Sequence, residues 1–141
     1  MKQIQKLTDT LKKHNFIQTA LLFGSYAKGT THSMSDIDIA IETSRELNLL
    51  ELGSIVSEIE TLYNQKVDLV ILNDLYKKRP LLAYNIYQNH KLLFTKDING
   101  YISFKTNALH YYMDFQNILE EQNKAFHKRV SDGNIAKTKT A

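Results

Sequence analysis

Residues 21–41 read Leu21-Leu22-Phe23-Gly24-Ser25-Tyr26-Ala27-Lys28-Gly29-Thr30-Thr31-His32-Ser33-Met34-Ser35-Asp36-Ile37-Asp38-Ile39-Ala40-Ile41. A Gly-Ser pair ends one apolar run, and an Asp-x-Asp pair opens the next after ten intervening residues. Side chains alternate between the two faces of a strand, so Asp36 and Asp38 should point to the same face. The isoleucines between and after them should point into a core.

The two neighbouring carboxylates predict a metal site. Two like charges side by side are costly unless a positive charge neutralises them. Aspartate is also a poor strand former, so its place in an isoleucine-rich strand favours a functional role over a solvated edge. Carboxylate oxygens are the ligands that Mg²⁺ or Mn²⁺ prefers.

A third acid, Asp68, lies in the apolar run Lys66-Val67-Asp68-Leu69-Val70-Ile71-Leu72. If the strand of residues 66–72 adjoins that of residues 36–42, Asp68 should share the sheet face of the first two acids. It would then serve as a third metal ligand, or as the general base that takes a proton from an attacking hydroxyl.

The remaining pattern predicts an α/β fold of the mixed α+β kind, with a small mixed sheet and helices packed on one face of it. Pro80 suits a first helical turn. We expect helices over residues 2–14, 47–62 and 80–89, strands over 17–23, 36–42, 66–72 and 91–95, and a long final helix over 98–128. Residues 131–141 turn polar and small, which predicts a disordered tail.

Composition narrows the class of protein. The 141 residues fit one domain with a single core, and the net charge of +3 is mild. The absence of cysteine excludes disulfides and thiolate metal sites. Neither a signal peptide nor a membrane-spanning run is visible, so we expect a cytoplasmic protein that does not bind a membrane.

The Gly-Ser turn suggests where phosphates would bind. Glycine lets the backbone approach a phosphate closely, and the hydroxyl of Ser25 with nearby N–H groups can hold phosphate oxygens. Two metal ions can clamp the attacking and leaving oxygens of an in-line displacement. Gly24, Ser25, Asp36, Asp38 and Asp68 together predict transfer of a phosphate-containing group from a nucleoside triphosphate to a hydroxyl.

These five residues resemble the signature of the polymerase-β-like nucleotidyltransferase superfamily, and the short chain resembles its minimal nucleotidyltransferase (MNT) branch. Many members of that branch are antitoxins paired with a HEPN-domain ribonuclease toxin. The resemblance implies transfer of AMP from ATP to a tyrosine of the toxin. It also implies that Gly24 and Ser25 bind ATP, that Asp36 and Asp38 ligate Mg²⁺, with two ions expected, and that Asp68 acts as ligand or base.

The chain divides, on this interpretation, into a nucleotidyltransferase domain (1–97), a helical extension (98–130) and the tail (131–141). Aromatic residues of the extension, Tyr111, Tyr112 and Phe115, are candidates for the toxin interface, although the same stripe could pack within the chain. No direct nucleic-acid binding is expected.

Two other functions stay open. One is an aminoglycoside-type adenylyltransferase acting on a small molecule, although about seventy residues after Asp68 leave little room for a drug pocket. The other is an antitoxin that works by binding alone, against which the complete set of acids argues.

Overall fold

The computed structural model describes residues 2–24 and 36–131. Residues 26–35, whose polar sequence predicts a short turn or helix plus a loop, lie outside these ranges, as do Ser25 and the predicted tail from residue 132 onward. In chain order the elements are α1 (Lys2–Lys12), β1 (Ile17–Phe23), β2 (Ile37–Thr43), α2 (Leu49–Tyr63), β3 (Val67–Ile71), α3 (Leu75–Lys78), α4 (Pro80–Gln88), β4 (His90–Thr95) and α5 (Ile98–Ser131).

The four strands form one mixed sheet in the order β3-β2-β1-β4. Strand β1 runs antiparallel to both β2 and β4, whereas β2 and β3 are parallel. A parallel pair needs a crossover connection, and α2 supplies it here. The predicted mixed sheet is therefore confirmed, and all four predicted strands are present within one residue of their expected bounds.

Helices cover both faces of the sheet, so the expectation of helices on one face only is wrong. Helices α1 and α2 pack on what we call the first face, where the core contains Leu7, Leu11, Ile17, Ala20, Leu22, Ile37, Ile39, Ile41, Ile55, Ile59, Val67 and Phe94. Helices α3, α4 and α5 cover the second face through Leu21, Ala40, Leu72, Leu75, Ala83, Ile86, Phe104 and Ala108. The central strand β1 buries apolar side chains on both sides, and such a strand must be covered twice.

The ends of α2 explain why this helix begins and stops where it does. Asn48 accepts a hydrogen bond from the backbone N–H of Glu51, whose own carboxylate accepts one from the backbone N–H of Asn48, forming a capping box. Arg45 pairs with the same carboxylate and holds the pKa of Glu51 down at about 2. Asn64 then ends the helix in the left-handed conformation, with φ at 52°.

The long helix α5 packs on the body only along its first half. Phe104 and Ala108 are buried against the second face. Tyr112 stacks on Tyr84 with ring centroids 3.6 Å apart, and Tyr111 meets Tyr76 edge-on at 4.8 Å. Two of the three aromatic residues proposed for an interface thus already pack within the chain. The division of the chain at residues 97 and 98 stays a prediction.

No helix within the described ranges is both long and apolar enough to cross a membrane.

Candidate functional site

The two strand carboxylates lie side by side in the sheet. The parallel register pairs Asp38 of β2 directly with Asp68 of β3. Both side chains project from the second face, because Ala40 and Val70, two residues further along each strand, contribute to the core there. The expectation that Asp68 shares a face with Asp38 is therefore confirmed.

Gly24 brings the end of β1 against Asp38. Its neighbour Phe23 is the register partner of Asp38 across the antiparallel pair. Gly24 has φ at +71°, a conformation that L side chains rarely adopt. A Cβ placed there would lie 2.0 Å from Oδ2 of Asp38, far inside any real contact distance. Only glycine allows the backbone to approach this carboxylate so closely.

The surroundings of Asp38 raise its affinity for a proton. Burial raises the pKa of Asp38 above its ordinary value, and the charges of Asp68 and then Asp36 raise it further. Asp38 is half-buried, whereas Asp36 and Asp68 are exposed. The ion pairs His14–Glu58 and Arg45–Glu51 lie elsewhere. The site thus holds concentrated negative charge that these ion pairs do not offset.

This charge fits a divalent cation chemically, but the ligands are not gathered around one point. Among the described residues, no group of three or more histidine or acidic side chains is arranged closely enough to hold a metal ion. Asp36, Asp38 and Asp68 are near enough to feel each other's charge, and oxygen donors are what Mg²⁺ prefers. Residues 25–35, which follow Gly24 directly, are outside the described ranges.

Glu60 contacts the start of β3, one residue before Asp68, and the sequence pattern does not predict this contact. Its Oε2 accepts a hydrogen bond of 3.1 Å from the backbone N–H of Val67, at the start of β3. This contact depends on how the turn after α2 folds back, so the sequence pattern carries no signal for it.

Four features together define a nucleotidyltransferase class of site. They are a mixed sheet, an Asp-x-Asp pair at the start of β2, a third aspartate on the parallel strand β3, and a glycine in close contact with Asp38. The family model described as "Polymerase beta, Nucleotidyltransferase" matches residues 5–99. The chain therefore belongs to the polymerase β nucleotidyltransferase family.

Individual relatives place the chain more closely. The protein adenylyltransferase MntA of Shewanella oneidensis is 29% identical over 113 residues, which are 79% of this chain and 77% of MntA. A chain in the solved structure of a tri-AMPylated S. oneidensis HEPN toxin in complex with an MNT antitoxin superposes with a TM-score of 0.66 at 21% identity, covering 92% of this chain and 97% of that one. A toxin–antitoxin structure with AMP-PNP gives a TM-score of 0.63 at 23% identity, covering 92% and 97%. At these identities the two solved structures show the fold, and the expected polymerase-β-like fold is confirmed.

Proposed function

We propose that this protein is an antitoxin adenylyltransferase, which transfers AMP from ATP to a tyrosine hydroxyl of a HEPN-type ribonuclease toxin and so silences it. The observation that carries the proposal is the register that sets Asp38 beside Asp68, with Gly24 pressed against Asp38. Family membership and the likeness to an adenylyltransferase that covers most of both chains support it.

Each residue of the site has a role in this proposal. Asp36 and Asp38 hold Mg²⁺, and Asp68 completes the ligand set or acts as general base. Gly24 and Ser25 hold the phosphates of ATP through the backbone and the serine hydroxyl. When bound, Mg²⁺ supplies positive charge against the phosphate oxygens. Binding would have to draw the three carboxylates together, since they do not already converge in the described residues.

The reaction moves one AMP group. The acceptor hydroxyl oxygen forms a bond to the α-phosphorus of ATP, and the bond from that phosphorus to the bridging oxygen of pyrophosphate breaks. Pyrophosphate leaves, and the hydroxyl proton passes to Asp68 or to water. Because such transfers need mainly positioning and charge neutralisation, the protein supplies little covalent chemistry of its own.

The second half of α5 is the proposed docking element for the toxin. Beyond the tyrosine contacts, the helix exposes about half of each of the apolar side chains Ile118, Phe126 and Val130, which share one helix face. An apolar stripe that leaves the body of the protein is typical of a partner-binding helix. A cytoplasmic location, where a ribonuclease toxin acts, is part of the same proposal.

Intact-mass spectrometry tests this proposal. The protein encoded beside this gene is incubated with this chain, Mg²⁺ and ATP. We expect the acceptor to gain one or more AMP units with wild type, and none with Asp38→Asn. Asp9→Asn, which removes an exposed acid on α1, is the matched control and should transfer normally.

The other outcomes separate the alternatives. A stable complex without a mass gain would mean that the antitoxin works by binding alone. Neither a gain nor a complex would contradict the proposal and favour a small-molecule hydroxyl acceptor.

A further inference from the structure

Strand β3, which carries Asp68, is the edge of the sheet. It pairs with β2 on one side, and no other strand of the described residues pairs with it on the other. An edge strand presents unpaired backbone N–H and C=O groups, which are a template for another extended chain. Such edges are usually blocked by charge, proline or a covering element, so an open edge next to the proposed active site is a candidate binding surface.

The hydrogen bonds between β2 and β3 determine which backbone groups of β3 face outward. The N–H of Ile37 bonds to the carbonyl of Lys66 at 2.9 Å, and the N–H of Leu72 bonds to the carbonyl of Ile41 at 2.7 Å. In a parallel pair this register directs the backbone groups of residues 66, 68, 70 and 72 toward β2. The backbone groups of Val67, Leu69 and Ile71 therefore point away from the sheet.

One of these outward groups is already occupied. Glu60 accepts the hydrogen bond from the N–H of Val67, which closes the beginning of the edge. Leu69 and Ile71 follow, and their side chains are half-buried against the first-face core. Among residues 2–24 and 36–131, no strand pairs with the N–H and C=O groups of Leu69 and Ile71, which form a stretch of edge that begins one residue after Asp68.

The geometry expected of the reaction also places the acceptor on the side of the sheet where the edge of β3 is free. Phe23, Asp38 and Asp68 are successive register partners across three neighbouring strands, which lie about 4.8 Å apart. If the triphosphate rests at Gly24 beside β1, an in-line displacement brings the acceptor oxygen from the opposite side of the α-phosphorus. That side is Asp68 and the free edge of β3.

We propose that the acceptor protein binds as an extended segment added to the free edge of β3, and that its hydroxyl side chain thereby reaches Asp68. The segment exchanges backbone hydrogen bonds with Leu69 and Ile71, and its alternate side chains project over the second face toward the carboxylates. There the hydroxyl oxygen bonds to the α-phosphorus of ATP, pyrophosphate leaves, and the proton passes to Asp68. This inference rests on the proposed function and adds how that function recognises its substrate.

A pair of substitutions at Leu69 tests the edge. Leu69→Pro removes the outward N–H, and proline is tolerated at such positions because no bond to β2 is lost. Leu69→Ala removes a similar amount of apolar packing but keeps the N–H, so it is the matched control. With the neighbouring-gene protein as acceptor, we expect KM for that acceptor to be roughly 3- to 10-fold higher in the proline variant than in the alanine variant. Mg²⁺-ATP affinity should be the same in both.

Hydrogen exchange gives an independent measurement. The amides of Leu69 and Ile71 should exchange more slowly when the acceptor is bound, while that of Val67, already bonded to Glu60, changes little. Equal KM values for the two variants, with no added protection at Leu69 and Ile71, would overturn the edge proposal. Absence of any transfer by wild type would instead contradict the proposed function itself.

Discussion

Gly24→Ala should impair activity far more than stability. The added Cβ would lie 2.0 Å from Oδ2 of Asp38, and real Cβ atoms essentially never come closer than 3.0 Å to such an atom. The carboxylate must therefore move by roughly 1 Å, or the backbone of the turn must move instead. A displacement of about 1 Å in a positioned catalytic group can cost on the order of 100-fold in rate.

The cost in stability is smaller and comes from the backbone. With φ at +71°, Gly24 occupies a region that costs a residue with a Cβ about 1–2 kcal/mol. For a chain of this size that corresponds to a fall in Tm of about 3–8 °C. AMP transfer followed by intact mass, and thermal melting followed by circular dichroism, measure the two effects separately.

Two further variants sharpen the test. Gly53→Ala places a Cβ where no atom lies within 4 Å, so it should raise helix stability by about 0.5–1 kcal/mol and leave transfer unchanged. Gly24→Asn tolerates positive φ better than alanine but still carries a Cβ, so it should recover stability without recovering activity. If Gly24→Ala transferred AMP at a rate within a few fold of wild type, the close approach to Asp38 would not matter and the reasoning would be refuted.

Three other predictions follow from individual contacts. Burial and neighbouring charges raise the pKa of Asp38, so the folded chain binds its proton more tightly than the unfolded chain. Without divalent metal, the contribution of Asp38 to the free energy of unfolding should therefore fall as pH rises above 3.8, and melts over a pH series should show wild type losing stability relative to Asp38→Asn. Asn48→Ala removes the capping box of α2 and should cost about 1 kcal/mol in urea unfolding, with transfer unchanged because α2 lies on the first face. Thr19→Val should lower the free energy of unfolding by about 1–3 kcal/mol in the same assay. The fully buried Thr19 hydroxyl donates to Glu42 and contacts the hydroxyl of Thr95, each at 2.8 Å. Unchanged stability would show that these hydrogen bonds are dispensable.

The strands were predictable because their signals are local. Alternating isoleucines around Asp38 specify both the strand and the face of each side chain. A helical connection between β2 and β3 favours parallel strands if the two are neighbours. The apolar residues that flank each acid, Ile37 and Ile39 in β2 and Val67 and Leu69 in β3, place Asp38 and Asp68 on the opposite, common face. This part of the site follows from the sequence with little more than strand geometry.

Other features depend on tertiary contacts that the pattern does not encode. The apolar run Ala20-Leu21-Leu22 belongs to a strand that is buried on both faces, but which helices cover the second face depends on tertiary packing. The short helix α3 was missed because its four residues are too few for a periodic signal. The hydrogen bond from Val67 to Glu60, and with it the extent of the open edge, appears only once the turn after α2 is folded.

The stacked tyrosines show the same limit. The tyrosines Tyr111 and Tyr112 on a helix predict that their rings are buried, but the sequence does not show which residues they pack against. The structure directs these rings to Tyr76 and Tyr84 of the same chain and leaves the more distal apolar residues exposed.

The central claim is that Asp38 and Asp68 form one nucleotidyl-transfer site. The most direct measurement compares ATP labelled at the α-phosphate with ATP labelled at the γ-phosphate, using the neighbouring-gene protein as acceptor. The proposed transfer mechanism predicts that only the α-label reaches the acceptor, that Asp38→Asn and Asp68→Asn each abolish this labelling, and that Asp9→Asn preserves it. Transfer of the γ-label, or α-labelling that survives both substitutions in the strand pair, would contradict it.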